Sequence, residues 1–162
     1  MSFKSVNEAE KFRYEDCCIV KRVDSTTDFI LEVEALIVKS DNSQNTNFTE
    51  SYADVTRITF KNATVLMGIR DGMKKYDADG KLVEVIEDEI LHDDELGGLC
   101  DNLTGMYLVG LERINDSDDY VLFIEKANEE QYDTLPSDSY QVKIHCDEVN
   151  MCWERYLNRV QM

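Results

Sequence analysis

The sequence predicts an α+β fold, a predominantly antiparallel β-sheet that is sandwich-like or strongly curved, with a C-terminal amphipathic helix packed on it. Short runs rich in β-branched and aromatic residues alternate with polar residues, as in half-buried strands. Clusters of Asn, Asp, Ser and Gly separate these runs, as turns do. The 162 residues contain one proline and seven glycines and show no linker, so we expect a single globular domain over residues 1–162.

The clearest amphipathic strand follows a turn at residues 24–27. Every second residue after this turn is apolar, and Glu32 and Glu34 occupy the alternate positions. Successive side chains of a strand point to opposite faces, so this pattern predicts one buried and one exposed face. The predicted buried face consists of Phe29, Leu31, Val33, Ala35 and Ile37.

Two hairpins are predicted from their turn residues. Asp79-Gly80 lies between two extended segments and supplies the positive φ angle that a tight hairpin turn needs. Residues 106–113 and 120–126 flank the polar stretch 115–119 and form the second hairpin. Further strands are expected over residues 53–60 and 64–69, joined at Asn62-Ala63, and over residues 140–145.

The last part of the chain has a different apolar spacing. Asp147 is a residue type that caps helices, and the apolar residues after it follow a helical period. The stripe consists of Val149, Trp153, Tyr156, Leu157 and Val160. We therefore expect an amphipathic helix that packs on the sheet and contributes about 2 kcal/mol per large buried side chain.

The charge is strongly acidic and unevenly distributed. The chain has 34 Asp and Glu against 17 Lys and Arg, a formal net charge of −17. Residues 77–148 contain 21 acidic and 4 basic residues, whereas the other 90 residues contain 13 of each. A nucleic-acid binder or a protein adhering to an anionic membrane needs a cationic surface, so neither partner is expected. A confined acidic segment instead suggests an interaction surface.

The sequence predicts a cytoplasmic protein. Its N-terminus lacks the apolar region of a secretory signal, and its apolar runs are too short to span a membrane. The five cysteines are an odd number and cannot all pair within one chain, so reduced thiols are expected.

No metal and no cofactor are expected. The cysteines show no C-x-x-C spacing, and His145 and Cys146 would point to opposite faces of a strand. A calcium loop with Gly80 at its sixth position would begin at Lys75 and end at Ile86, where carboxylates are required.

The sequence also predicts no enzymatic activity and no catalytic residue. Cys100 follows two glycines, but its acidic surroundings oppose the thiolate that a nucleophile needs. The chain has no G-x-S-x-G, H-E-x-x-H or phosphate-binding glycine loop.

The function that we expect from these observations is acidic protein interaction, in which the domain acts as an inhibitor or immunity-type partner of a basic protein. Complementary potentials would steer such a partner toward the acidic segment. The expected partner-binding residues are Glu84, Glu87, Asp88, Glu89, Asp93, Asp94, Glu95, Asp116, Asp118 and Asp119. Two alternatives remain open: a small-molecule-binding or enzymatic site assembled in a sheet cavity, and a structural subunit with an exposed apolar patch or open strand edge.

Overall fold

The computed structural model describes residues 2–126 and 139–160. Its first eight strands are β1 (Phe3–Val6), β2 (Phe12–Arg13), β3 (Cys18–Val23), β4 (Phe29–Glu34), β5 (Ile37–Val38), β6 (Ser51–Ala53), β7 (Thr56–Lys61) and β8 (Thr64–Arg70). The later strands are β9 (Met73–Tyr76), β10 (Leu82–Ile86), β11 (Glu89–Ile90), β12 (Tyr107–Arg113), β13 (Asp119–Glu125), β14 (Ser139–His145), β15 (Glu148–Trp153) and β16 (Tyr156–Arg159). One α-helix, α1 (Asp93–Asp101), and a 3-10 turn (Ala9–Lys11) complete the described elements.

Ten of the strands form one antiparallel sheet that folds over on itself. Their order is β1-β15-β7-β4-β3-β12-β13-β14-β8-β11. Only Cys18 and Tyr107 pair between β3 and β12, which marks the fold between two five-stranded layers. β7 and β8 are third and ninth in this order, yet only Asn62 and Ala63 separate them along the chain. Such a short link requires the two layers to face each other. The expectation of a predominantly antiparallel sheet is therefore confirmed.

The core lies between these layers and follows the period of two that strands impose. The predicted inward face of β4 is confirmed at Phe29, Leu31 and Val33, which are buried. Across the core, the Phe60 and Tyr120 rings from opposite layers lie 6.4 Å apart, edge to face. The largest fully buried side chains include Ile19, Leu31, Ile58, Leu108, Leu122, Ile124 and Ile144.

Both predicted hairpins form. β9 and β10 pair across the Asp77–Lys81 turn, in which Gly80 has a φ of +80°. β12 and β13 pair across a turn in which Asn115 and Asp116 have positive φ. Asn and Asp tolerate this left-handed conformation better than other side chains do, so local turn chemistry suffices to place both hairpins.

The predicted C-terminal helix is wrong, because residues 148–153 and 156–159 form β15 and β16. β15 pairs with β1 on one side and β7 on the other, so it is fully hydrogen bonded within the sheet. Val149, Met151 and Trp153 alternate inward and are buried. Valine and tryptophan are common in strands, and the hydrogen bonds to β1 and β7 favour a strand here. The five apolar residues also match a helical spacing, but this local pattern is the weaker effect.

An aromatic cluster replaces the expected helix as the packing unit at the C-terminal end. Trp153 stacks on Phe3 at 5.6 Å between ring centroids, and Phe12 and Tyr156 approach its edges or face at 5.8 and 5.9 Å. β16 belongs to a second sheet with the order β16-β6-β5-β2. Leu157, which was expected on the buried stripe, is exposed.

The helix α1 lies between β11 and β12 along the chain. Leu99 and Cys100 are its buried residues, and the Leu96 side chain packs where Gly68 of β8 leaves room for it. Arg22 of β3 donates from Nη1 to the Cys100 carbonyl oxygen at 2.9 Å. Within the described residues, no helix has the length and apolarity needed to cross a membrane.

Candidate partner-binding arm

A two-stranded ribbon continues beyond the sheet from β8 and β11. In the sheet, Ile69 faces Ile90 and Arg70 faces Glu89; in the outer part of the ribbon, Met73 faces Ile86. Two residues on each strand, at positions 71–72 and 87–88, separate these ladders without a change of register. We call the outer part, residues 73–86, the arm.

Gly72 and Asp88 fix the joint between the sheet and the arm. The Gly72 N–H donates to Oδ1 of Asp88 at 2.7 Å. A Cβ atom at Gly72 would lie 2.0 Å from the Ile86 carbonyl oxygen, well inside any allowed contact. The joint therefore requires glycine, since no side chain fits where the backbones approach so closely.

The arm exposes several apolar side chains. All residues from 76 to 85 are exposed, and Val83 retains 62% of its accessible surface. Within the sheet, Ile90 at the base of the arm retains 64%. The exposed apolar residues are Tyr76, Leu82, Val83, Val85 and Ile90. Scattered apolar residues are ordinary on a surface, but a group on one protruding ribbon is typical of an interaction site.

Carboxylates surround the base of the arm. We call this group the acidic collar; it consists of Glu87, Asp88, Glu89, Asp93, Asp94 and Glu95, all predicted partner-binding residues. Glu87 and Asp88 lie in the joint, Glu89 begins β11, and the other three form the first turn of α1. The short distance along the chain between β11 and α1 keeps the two halves of the collar together.

Arg70 balances part of the collar. Its guanidinium lies 3.4 Å from Oε2 of Glu89 and 4.0 Å from Oε2 of Glu95. The pKa of Arg70 is raised above its ordinary value, and the largest cause is a side-chain hydrogen bond with Tyr140. Partial burial opposes this rise, whereas the charges of Glu89 and Glu95 add to it. Arg70 thus holds the two halves of the collar to the sheet.

The rest of the collar is less compensated. None of the described Lys or Arg side chains forms an ion pair with Glu87, Asp93 or Asp94. On the arm itself, Glu84 pairs with Lys75 at 3.5 Å. Residues 71–95 contain ten acidic residues and three lysines, a net charge of −7, so the arm stands in a negative potential.

The other three predicted residues lie elsewhere. Asp116 and Asp118 belong to the turn before β13, and Asp119 starts that strand. Asp119 faces His145, which faces Thr64 at the opposite end of β8 from Arg70. Six residues of strand separate these ends, roughly 20 Å at about 3.3 Å per residue. The structure therefore brings the predicted residues from 87 to 95 together in the collar, but it places Glu84 on the arm and those at 116–119 near the other end of β8.

Asp119 has its own contacts at that distant end. Its Oδ1 lies 2.7 Å from Nδ1 of His145, and Lys143 approaches its Oδ2 at 3.9 Å. Arg113 lies 3.9 Å from Asp118. Lys143 and Arg113 offset two of the three carboxylates of this group, which makes it less negative than the collar.

Sequence reasoning missed the apolar residues of the arm and the role of Arg70. The run Leu82-Val83-Glu84-Val85-Ile86 has the composition of a buried strand, so its exposure could not be read from residue type. One available signal was its position, because acidic residues follow this run directly and a polar Asp-Gly turn precedes it.

The three buried thiols, those of Cys17, Cys100 and Cys146, are poorly suited to nucleophilic chemistry. Burial raises the pKa of Cys17 to about 12 and that of Cys146 to about 11. Burial also raises the pKa of Cys100, although Arg22 opposes this. Thiols with such pKa values are protonated at neutral pH and react slowly.

Three partly open clefts lie away from the arm. Their volumes are about 580, 500 and 630 Å³. The first lies between the 3-10 turn and β12, the second beside Ala35 and Leu157, and the third beside Phe48. Among the described residues, no group of three or more His, Cys, Asp or Glu is arranged to hold a metal ion.

Comparisons of the chain with protein-family models, curated proteins and solved structures give no match.

Proposed function

We propose that the protein is a non-enzymatic interaction domain that binds a basic protein through the arm and the acidic collar. The observation that carries the proposal is the combination of the two: an apolar ribbon exposed from residue 76 to 85, with carboxylates at its base. Apolar area supplies affinity when it is buried, and the surrounding charge selects the partner.

The charge distribution supports a basic partner. Glu87, Asp93 and Asp94 are exposed, and a cationic surface would gain their attraction without displacing a neighbour from this chain. Long-range attraction of this kind raises association rates and weakens when salt screens it, with a Debye length of about 10 Å at 0.1 M.

An inhibitor or immunity-type role fits this chemistry. In such a complex the carboxylates of the small domain occupy the positions at which a basic, nucleic-acid-processing protein would bind phosphates. The proposed compartment is the cytoplasm, where the five free thiols would stay reduced.

The structural-subunit alternative is also supported by the exposed apolar ribbon, but in that alternative the partner is a second copy of this chain. If copies of this chain bound one another through the arm, their acidic collars would face each other, and like charges oppose such contacts. The proposal therefore favours a basic partner over a second copy.

The test compares two acidic groups of the same chain. In the collar variant, Glu87→Gln, Asp93→Asn and Asp94→Asn are combined; in the control variant, Asp116→Asn, Asp118→Asn and Asp119→Asn are combined. Proteins are captured from cells of the source at about 0.05 M and about 0.5 M salt. We expect the parent chain and the control to retain the same basic protein at low salt and the collar variant to lose it.

Purified partner must then bind purified chain in a titration with the same ranking of variants. Retention by the collar variant, or loss only in the control, would contradict the proposed site. Self-association of the purified chain that the collar variant strengthens, because the neutralised collars no longer repel each other, would favour the structural-subunit alternative instead.

A further inference from the structure

The outer edge of β11 has no strand partner among the described residues. β11 is the last strand of the ten-stranded sheet and, within residues 2–126 and 139–160, pairs with β8 alone. The Leu91 N–H donates inward to the Gly68 carbonyl oxygen at 2.9 Å. Peptide groups alternate in direction along an antiparallel strand, so the N–H and C=O of Ile90 point away from the sheet.

The open edge extends beyond the two residues of β11. β10 lies on the same side of the ribbon, and from Glu84 to Ile86 its register with β9 continues that of β11 with β8. The edge thus runs in one register from residue 84 to residue 90, with an interruption of the ladder at residues 87–88. This is long enough to pair with one extended segment of another chain.

A row of cross-strand neighbours that is apolar except for Gln141 ends at this edge. Phe123 faces Gln141, Gln141 faces Ile69, and Ile69 faces Ile90, so these side chains share one face. Ile90 is the last member and remains largely exposed. A residue paired beside Ile90 would continue the row, and apolar cross-strand pairs stabilise a sheet.

The charges beside the edge determine which strand it accepts. In natural proteins, charged residues commonly protect the edge strands of sheets from unwanted pairing with other chains. At this edge the charged residues are acidic: Glu87, Asp88 and Glu89. A second copy of this chain would bring its own acidic edge against this one. A segment with lysine or arginine would meet opposite charge instead.

We propose that an extended basic segment of the partner adds to the edge of β10 and β11 as a further strand. Its apolar residues alternate with lysine or arginine, so that apolar side chains continue the row at Ile90 and cationic ones lie on the face of Glu89. This inference rests on the proposed function and specifies how the partner is held: backbone hydrogen bonds provide the pairing, and the collar selects the charge.

The experiment uses two peptides of equal charge and the full-length protein. The probe is the eight-residue peptide Lys-Val-Lys-Val-Lys-Val-Lys-Val, and the control replaces its second and fourth valines by proline, which cannot donate to a ladder. Binding is measured by titration, and amide hydrogen exchange is followed residue by residue with and without peptide.

We expect the probe to bind about tenfold more tightly than the control and to slow exchange of the Ile90 amide. We expect Ile90→Pro, which removes the outward N–H, to weaken the probe about tenfold, whereas Ile90→Val keeps the affinity. If Ile90→Pro disturbs the fold, the exchange of the Ile90 amide in the parent chain decides the question.

Equal binding of both peptides, absence of probe binding, or an Ile90 amide that exchanges unchanged in the complex would each overturn strand addition. These results leave the capture experiment untouched, so strand addition can fail while the collar still binds a basic protein. An Ile90 amide that is already protected in the free protein by dimerisation would also overturn the inference.

Discussion

Asn62 donates its side-chain amide to a carboxylate oxygen of Asp147 at 2.7 Å. The two residues lie in the two short links that carry the chain between the layers, from β7 to β8 and from β14 to β15. The Asp147 N–H adds a bond to the Lys61 carbonyl oxygen at 2.9 Å. The crossing points of the sandwich are therefore tied directly to each other.

This contact gives a prediction with a built-in control. Asn62 has a left-handed φ of +49°, which glycine adopts freely and alanine does not. Asn62→Ala loses the hydrogen bond and strains the backbone, so we expect it to lower the free energy of unfolding by about 2 kcal/mol. Asn62→Gly loses only the bond, so we expect about 1 kcal/mol. Urea unfolding of both variants measures the difference; equal losses would show that the backbone conformation contributes nothing.

Gly72→Ala should loosen the arm without unfolding the sheet. The new methyl group would meet the Ile86 carbonyl oxygen, so the joint must open. Because the arm is largely exposed, we expect faster amide exchange over residues 73–86 and little change in the midpoint of thermal unfolding. Unchanged exchange in the arm would contradict the account of the joint.

Gly97→Ala and Gly98→Ala should each stabilise α1. Both glycines lie inside the helix, and no heavy atom lies within 4 Å of a Cβ atom built at either position. Alanine restricts the unfolded chain more than glycine does, so each change should add about 0.5–1 kcal/mol to helix stability. Slower amide exchange across residues 96–101 is the expected measurement, and faster exchange would reveal a contact that these positions need.

Glu8 should contribute stability that disappears in acid. Burial raises the pKa of Glu8, but hydrogen bonds from Ser43 and Ser5 and the charge of Lys11 together lower it below its ordinary value of 4.5. The carboxylate form is therefore favoured in the folded state, and its contribution is present above pH 4.5 and lost as the pH falls through the folded pKa.

Glu8→Gln should consequently cost about 1 kcal/mol at neutral pH, and the difference from the parent chain should shrink as the pH falls below 4.5. Urea unfolding across this pH range measures it, and the neighbouring Glu10→Gln serves as the control. A cost that stays constant at acid pH would mean that the charge of Glu8 is not what stabilises the fold.

Thiol labelling should follow burial. Cys17, Cys100 and Cys146 are buried, and their pKa values are raised. Cys18 and Cys152 are partly exposed. We expect iodoacetamide to modify Cys18 and Cys152 first in the folded protein, with all five reacting after denaturation. Early modification of Cys100 would contradict the prediction and would show that its thiol is reactive in the folded protein.

The features that depend on neighbouring residues could be predicted from the sequence. Asp79-Gly80 and Asn115-Asp116 place their hairpins because a left-handed turn is chosen by the residues within it. Phe29, Leu31 and Val33 identify the inward face of β4 because side chains alternate along any strand. The acidic segment could be located by counting, since charge needs no knowledge of the fold.

The pairing of the strands and the exposure of the surfaces are evident only from the tertiary structure. The apolar stripe through Val149 and Trp153 fits a helix, but β1 and β7 supply partners on both sides of β15 from distant parts of the chain. Likewise, Leu82–Ile86 resembles a buried strand, but residues 82–85 are exposed because β10 pairs with β9 in a separate two-stranded sheet. The predicted acidic residues form two separate groups, because the collar lies near the Arg70 end of β8 and residues 116–119 lie near its Thr64 end. Strand pairing and burial depend on contacts between residues far apart in sequence, so they cannot be predicted from local sequence patterns.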